Sequence, residues 1–406
     1  MKPEYNRILF VHANNDEVGG ADFCLFKMVY EVQHAGLQPL VLLRRHTDIV
    51  LKYEQHGIPV LVRPIVRLQK KAGLVRLLLL PWQMLRTVGI IVRLIRRENV
   101  HCLHSNDLLD VAANAAAKIA GIPSLQHIRM IVLRPRWLQR LLSGLALLFS
   151  DRILCVSDGV RRYMFAKPSA NVMILYDWLD MKLVGHLQNG RSFRHELGLT
   201  ADDKLVGCVG RLEEWKGQHL FLQAADLMTR EDPGVHFVVI GGPTAGKEAY
   251  AKQLACQQAA AAGRSRIHLL GHRHDVAAIM KELDVLVHSS ILPDPLPGVV
   301  MEGMTCGTLV VGAADGGVPE QISDGRNGFL YRPGDVADMV RAIQKALLEP
   351  NREALVQQAA NDARHRFDKQ YIMKQLLEVY RAVCEPAGSN RSESFRINHM
   401  EVLNDD

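Results

Sequence analysis

Short runs of consecutive apolar residues alternate along the chain with longer segments in which apolar residues recur every three to four positions. The first half contains seven such runs, Ile8–Val11, Pro39–Leu43, Val60–Val62, Val100–His104, Ser124–Ile128, Ile153–Val156 and Val172–Leu175. They show little polar alternation, which predicts strands buried on both faces. Between them, Ala21–Gln33, Leu74–Arg97 and Leu108–Ala120 carry the helical period. The second half repeats the pattern with strands at Leu205–Val209, His236–Ile240, Ile267–Leu270, Val285–His288, Leu309–Val311 and Gly328–Tyr331, and a helix at Gln218–Met228. Strands alternating with helices predict parallel sheets covered on both faces, so the fold class is α/β with two doubly wound, Rossmann-like domains. A length of 406 residues fits two domains. The expected division is residues 1–180, a linker over 181–203 where Gly185, Gly190 and Gly198 break the alternation, and residues 204–368. Helices at Asn351–Phe367 and Ile372–Cys384 close the fold, the last (about 369–385) expected to pack back on the first domain; polar Pro386–Asp406 reads as a flexible tail.

Composition narrows the class. With 48% apolar and 23% charged residues, the chain has the make-up of a globular enzyme. The longest apolar candidates, Leu77–Trp82 and Leu141–Phe149, fall far short of the roughly 20 residues of a spanning helix, which argues against a transmembrane chain. The N-terminus lacks the apolar core of a secretory signal, so a cytoplasmic location is expected. Seven cysteines without paired spacing argue against structural zinc or a disulfide framework.

The net charge of +6 is unevenly divided. Residues 1–175 hold 24 lysines and arginines against 12 carboxylates, whereas residues 176–406 hold 25 against 31. From Arg63 to Arg97 there are nine cations and no carboxylate, interleaved with Leu77–Leu80, Trp82, Leu85, Ile90, Ile91 and Ile95; a second basic stretch, Arg129 to Arg140, leads into Leu141–Phe149. Basic residues beside an apolar stripe suit an amphipathic surface held to anionic lipid, at roughly 1 kcal/mol per cation near the headgroups. The other reading is a pair of core helices whose outer faces are solvated by arginine. Trp82 and Trp137 belong to the core or face the membrane in these two readings. No nucleic-acid recognition module accompanies the charge.

In doubly wound folds, ligands bind at the carboxyl ends of the strands. Strand Leu205–Val209 ends in Gly210-Arg211, with Lys216-Gly217 just before the next helix. A turn glycine and two cations beside a helix N-terminus suit a diphosphate. Strand Val285–His288 leads into a Pro-rich loop with Asp294 and then, in a helix starting near Gly298, Glu302. Carboxylates there can accept hydrogen bonds from polyol hydroxyls, while the helix start favours an anion. A basic grip and an acidic grip together describe a nucleotide-sugar.

These motifs, with Gly271-His272-Arg273-His274-Asp275-Val276, Asp284–Ser290 and Gly316-Gly317-Val318-Pro319-Glu320, resemble the donor-binding half of glycosyltransferase family 4. The first half is similar too, in Val18-Gly19-Gly20-Ala21-Asp22, His104-Ser105-Asn106, His127-Ile128-Arg129 and Asp151–Ser157, so the likeness covers about residues 7–380. The resemblance implies a GT-B fold, two Rossmann-like domains facing across a cleft, and a retaining, metal-independent transferase that uses a nucleoside-diphosphate sugar as co-substrate and no cofactor. It implies that Arg211 and Lys216 hold the donor diphosphate, that Glu302 binds ribose and Asp294 the donor sugar, and that His127 lies near the sugar. Gly19 and Gly20 would admit the donor, the backbone around His272 would meet the nucleobase, and Leu296, Pro297, Gly298 and Val299 would line the donor loop. His104, Asn106 and Arg129 are candidates for the acceptor side. The partners so implied are a nucleotide-sugar donor and a glycan or lipid-linked glycan acceptor in cell-envelope polysaccharide or lipopolysaccharide synthesis, with an anionic membrane surface and no nucleic acid; the location would be peripheral, on the inner face of the cytoplasmic membrane. Against the family pattern, Asp294 stands where Glu is usual, Pro297-Gly298 replaces a glycine, Tyr176–Asp180 replaces an Asn-Gly-x-Asp linker, and Met130 follows Arg129 where an acid is common.

Each residue also has a structural reading. His127 can be a satisfied core histidine, His104 and Asn106 parts of a turn, and Asp275 a helix N-cap. Among rival functions, Gly241–Lys247 fits GxxxxGK after a strand, but Glu248 occupies the place of the magnesium-binding Ser or Thr. The first strand is followed by Asn14–Gly20 rather than GxGxxG, which argues against a dinucleotide enzyme. A catalytically silent GT-B scaffold would have no need to keep Arg211, Lys216 and Glu302 together.

Overall fold

The computed structural model describes residues 6–13, 19–66, 74–179 and 192–384, with the side chains of 74–77 left aside. The expected tail 386–406, Val18 of the glycine motif, and residues 181–191 of the expected linker lie outside the described residues.

All thirteen apolar runs form strands: β1 (Arg7–His12), β2 (Gln38–Leu43), β3 (Val60–Val62), β4 (Cys102–Ser105), β5 (Ser124–Ile128), β6 (Arg152–Cys155) and β7 (Val172–Ile174), then β8 (Lys204–Val209), β9 (Val235–Ile240), β10 (Ile267–Leu269), β11 (Val285–His288), β12 (Leu309–Ala313) and β13 (Phe329–Tyr331). Val100 is not part of β4. Its N–H closes the end of the preceding helix on the Ile95 carbonyl at 3.0 Å, after Asn99 turns the chain with φ of 49°.

The strands make two wholly parallel sheets, β3-β2-β1-β4-β5-β6-β7 and β10-β9-β8-β11-β12-β13. Strand order reverses between β1 and β4 and between β8 and β11, which opens a crevice at the carboxyl edge of each sheet. Alternate residues of β1 serve the two faces. Ile8 and Phe10 pack with α1 (Gly20–His34), α2 (Asp48–Gln55) and the C-terminal helix Lys369–Cys384, while Leu9 and Val11 pack with Ile91 and Ile95 of α3 (Leu74–Arg97) and with α4 (Val111–Ala120). Each such side chain, removed from water on folding, contributes about 1.5–3 kcal/mol. Ile372, Leu376 and Tyr380 of the C-terminal helix lie in the first sheet's core, so the chain crosses back after building the second sheet.

The 20 residues Leu78–Arg97 of α3 are long and apolar enough to cross a bilayer, which the count of uninterrupted apolar residues had not indicated, and only 17% of the window is buried. Length and composition alone also fit a surface helix with one docked stripe, and Ile91 and Ile95 supply that stripe here. Three large apolar side chains toward its N-terminus are bare: Leu78 is 73%, Trp82 59% and Leu85 71% exposed. On α5 (Arg136–Phe149), Trp137 is 66% exposed and Leu148 57%. Both helices meet one core cluster, through Met84 and through Leu138 and Leu145.

The domains touch backbone to backbone. A Cβ on Gly159, at the start of α6 (Asp158–Met164), would lie 2.2 Å from the Gly316 carbonyl oxygen. The Glu320 carboxylate accepts the N–H groups of Asp158 (2.7 Å) and Gly159 (2.8 Å) and the Tyr176 hydroxyl (3.0 Å). Burial pushes its pKa up, against these hydrogen bonds.

Candidate active site

Two loops at the carboxyl edge of the second sheet meet at the order reversal. After β8, Gly210 turns with φ of 155°, and Arg211 follows with its side chain half exposed, 3.1 Å from Glu213. A short turn, Glu214–Lys216, ends at Gly217 with φ of 71°, where a Cβ would lie 2.0 Å from the Ser289 carbonyl oxygen. Only glycine allows this approach of the β8 and β11 loops, which Ser289 Oγ secures by donating to the Lys216 carbonyl at 2.7 Å.

Lys216 therefore reaches into the β11 loop and binds Asp294. Asp294 is 7% exposed and also contacts His288 Nε2 at 3.3 Å. Burial alone would raise its pKa, but Lys216 and His288 outweigh that and hold it well below the usual carboxylate range. His288 itself is held low by burial, with Asp294 opposing, and Ser290 Oγ lies 3.0 Å from its Nε2. Gly316 and Gly317 wrap the loop from outside: Gly317 N–H donates to the Asp294 carbonyl at 2.8 Å, and Gly316 adopts φ of 62° against it.

The helix after this loop runs Gly298–Cys306, with Pro297 as its extended N-cap. Leu296 packs against apolar clusters of both domains, and Val299 against that of the second. Glu302 lies in the second turn, its Oε1 3.7 Å from where a Gly298 Cβ would stand. Burial raises its pKa, and Lys27 of α1, in the other domain, opposes. The N-terminus of this helix, Glu302, Asp294 and Lys216 thus share one edge of the cleft. Gly19 faces them from the first domain, since a Cβ there would be 3.8 Å from Arg211 Nη1. Gly20 opens α1 and has nothing within 4 Å of its Cβ position. His272, after β10, is exposed at the rim, with its ring 4.8 Å from that of His274.

The remaining candidates are together but inside the first domain. His104 receives or donates a 2.6 Å hydrogen bond with the Tyr380 hydroxyl, stacks on Phe10 and lies 5.5 Å from His127. Burial, with Arg129 adding, holds His104 down to about 3 and His127 well below its ordinary value. Arg129 makes a two-pronged ion pair with Asp177, at 2.7 and 3.2 Å, and donates to Asn106. Four residues that patterning did not single out as site residues prove central: His12, Asp22, His288 and Glu320. His12 faces Asp22, His288 contacts Asp294, and Glu320 holds backbone of the first domain; Asp22, His288 and Glu320 each lie inside a quoted motif, whereas nothing in the sequence marked His12.

Gly241–Lys247 lies between β9 and the helix Glu248–Ala260, and the Glu248 carboxylate accepts the Gly246 N–H at 3.1 Å, so this carboxylate occupies a donor that a phosphate would require. No group of three potential metal ligands occurs among the described residues.

Two facing parallel α/β domains, with cations and carboxylates at one sheet edge and a glycine turn opposite, define a GT-B glycosyltransferase. Residues 19–176 match the model of a "glycosyl transferase 4-like domain" and residues 191–366 that of "glycosyl transferases group 1". The chain belongs to this family, the group 1, family 4-like retaining glycosyltransferases. Among curated proteins it is similar to spore coat protein SA of Bacillus subtilis (29% identical over 56% of this chain and 64% of that one) and to D-inositol 3-phosphate glycosyltransferase of Mycobacterium ulcerans (28%, 61% and 54%). These matches span less than two thirds of the relatives' length. Among solved structures, Anabaena HepE in complex with UDP and glucose is 26% identical with a TM-score of 0.77, covering 93% of this chain and all of that one. A Rickettsia africae glycosyltransferase, at 15% identity and a TM-score of 0.81, shares the fold over 95% of this chain.

Proposed function

We propose that the protein transfers a sugar, with retention, from a uridine-diphosphate sugar to a hydroxyl of a glycan or lipid-linked glycan built at the cytoplasmic face of the membrane. The observation that carries this is the convergence of Arg211, Lys216 and Asp294 on one sheet edge opposite Gly19. Uridine is favoured by HepE, also solved in complex with UDP-glucose at 26% identity. Arg211 and Lys216 hold the diphosphate, Glu302 the ribose and Asp294 the sugar. As the bond from the anomeric carbon to the β-phosphate oxygen breaks, the acceptor oxygen bonds to that carbon from the same face and its proton passes to the leaving phosphate. Negative charge grows on that phosphate in the transition state, so fixed cations there lower the barrier more than they tighten binding.

Bare Leu78, Trp82 and Leu85 on α3 and Trp137 on α5, with arginines and no carboxylates on either helix, support a peripheral site on anionic lipid and so a lipid-linked acceptor. A second reading, a silent GT-B scaffold in a glycan assembly, draws on the likeness to a protein named as a spore coat component. Calorimetric titration with UDP, GDP, ADP and dTDP separates the two. Magnesium-independent UDP binding supports the transferase, and silence toward every nucleotide sinks it. Flotation with vesicles containing anionic lipid tests the membrane surface: the wild type is expected to float and Trp82→Ser with Trp137→Ser to stay below, whereas a soluble wild type overturns that part.

A further inference from the structure

The functional reading leaves one buried histidine–aspartate pair unused. His12 ends β1 at 1% exposure, and its Nε2 lies 3.4 Å from Oδ1 of Asp22, in the first turn of α1. Neither atom has a well-formed hydrogen bond. The other Asp22 oxygen accepts the Gly19 N–H at 2.9 Å, and a Cβ on Gly19 would stand 3.8 Å from Arg211 Nη1. A continuous line of contacts therefore runs from the first sheet, through a buried carboxylate, to backbone beside the cation that would hold the donor phosphate.

The glycines themselves point to a ligand. Gly19 has φ of −132°, open to any residue, and its Cβ position meets only ordinary contacts at 3.8 and 3.9 Å. Gly20 meets nothing. The protein's own packing does not require glycine at either place, so the missing side chains leave room beside Arg211 for something the protein does not itself supply. The pair is also expensive in stability, because burying two ionisable groups costs more than their attraction returns unless each is fully hydrogen-bonded. Asp110, Asp107 and Asn106 face His12 as well, Asn106 Nδ2 at 3.5 Å from its Nδ1. Burial would lower the His12 pKa, but Asp22, Asp110 and Asp107 outweigh it, so the net shift is upward; with Asn106 Nδ2 facing Nδ1, the ring presents its Nε2–H to Asp22.

We propose that Asp22 and His12 are positioning residues for donor cleavage: His12 orients Asp22, and Asp22 fixes the Gly19 amide, so that the start of α1 keeps its place against Arg211 around the leaving phosphate. This rests on the nucleotide-sugar reading. Neither side chain touches the donor. Their effect falls on a geometry that matters most when charge reaches the phosphate, so they act on kcat rather than on donor KM.

The test uses the full chain and reads UDP release from UDP-glucose, to water or to an added acceptor, beside calorimetric UDP affinity and thermal melting. A misplacement of about 1 Å can cost about 100-fold. Asp22→Ala is expected to lower kcat by about 30- to 100-fold with donor KM and UDP affinity within about threefold. Asp22→Asn keeps an acceptor for Gly19 but loses the charge, and with His12→Asn is expected to fall about tenfold; Asp22→Glu should recover most of the loss. A folded Asp22→Ala that keeps half of the wild-type kcat overturns the proposal. If that variant does not fold, wild-type kcat in both Asp22→Asn and His12→Asn overturns it instead. A wild type that neither binds UDP nor releases it from UDP-glucose brings down the functional reading and this inference with it; an active wild type matched by its variants brings down the inference alone.

Discussion

The carboxyl edges of the two sheets hold similar kinds of residue in opposite conditions. On the second sheet, the cations are within reach of a ligand: Arg211 is half exposed, and Lys216 holds Asp294 in a bond that a phosphate can replace. On the first, Arg129 is 6% exposed and committed to Asp177 and Asn106, and His104 is committed to Tyr380. The difference teaches that a basic residue after a strand identifies a binding edge only when its side chain stays accessible to a ligand. The excess positive charge of residues 1–175 is not concentrated in the cleft; much of it lies on α3 and α5.

The comparison is tested most sharply on the second sheet. Replacing Arg211 and Lys216 together by Ala should lower kcat/KM by more than about 10³-fold, since one fixed donor to a developing oxyanion is worth about 10²–10³. The melting temperature should fall, because buried Asp294 loses Lys216, but the protein should still fold at assay temperature; residual activity near wild type would remove the donor assignment. On the first sheet, Arg129→Ala should act on stability instead. It leaves Asp177 buried without its cation, at a cost on the order of 3 kcal/mol, visible as a lower denaturant midpoint. Full stability with lost acceptor turnover would show that Arg129 is an acceptor residue after all.

A smaller effect concerns pH. His104, held to about 3, and His127, held low as well, are neutral when folded but protonate near 6.5 when unfolded. The unfolded state then binds more protons below 6.5, so their contribution to stability is complete above that pH and is lost as pH falls from about 6.5 toward 3. Denaturant midpoints from pH 7 to 4 should decline, less steeply in His127→Leu; equal slopes would contradict the buried neutral state. Smallest of all, Glu248→Ser completes the GxxxxGK pattern and is expected to leave ATP-magnesium binding undetectable by calorimetry, because the adjoining loop serves the packing at Gly210 and Gly241. Micromolar binding would reopen the phosphate-loop reading.

Much of the fold was legible because doubly buried strands must be apolar throughout, and β1, β8, β9 and β11 have no other way to cross the interior. The donor edge was legible because Gly210-Arg211 and Lys216-Gly217 bracket one strand-to-helix turn. His288 was not, since nothing near it in sequence shows that its ring will meet Asp294 in a loop that doubles back. Glu320 was quoted only as part of a motif, because its partners Asp158, Gly159 and Tyr176 stand some 150 residues away in another domain.

What the sequence determined by itself is therefore the order of strands and helices, the parallel layering and the strand ends where chemistry gathers, all of which follow from local periodicity and turn residues. Which charges stay accessible and which are buried was decided only by tertiary structure. A side chain's availability depends on the desolvation and the partners that distant segments impose. Arg129 and Arg211 look alike in the chain, and the fold alone buries one against Asp177 and turns the other toward the cleft.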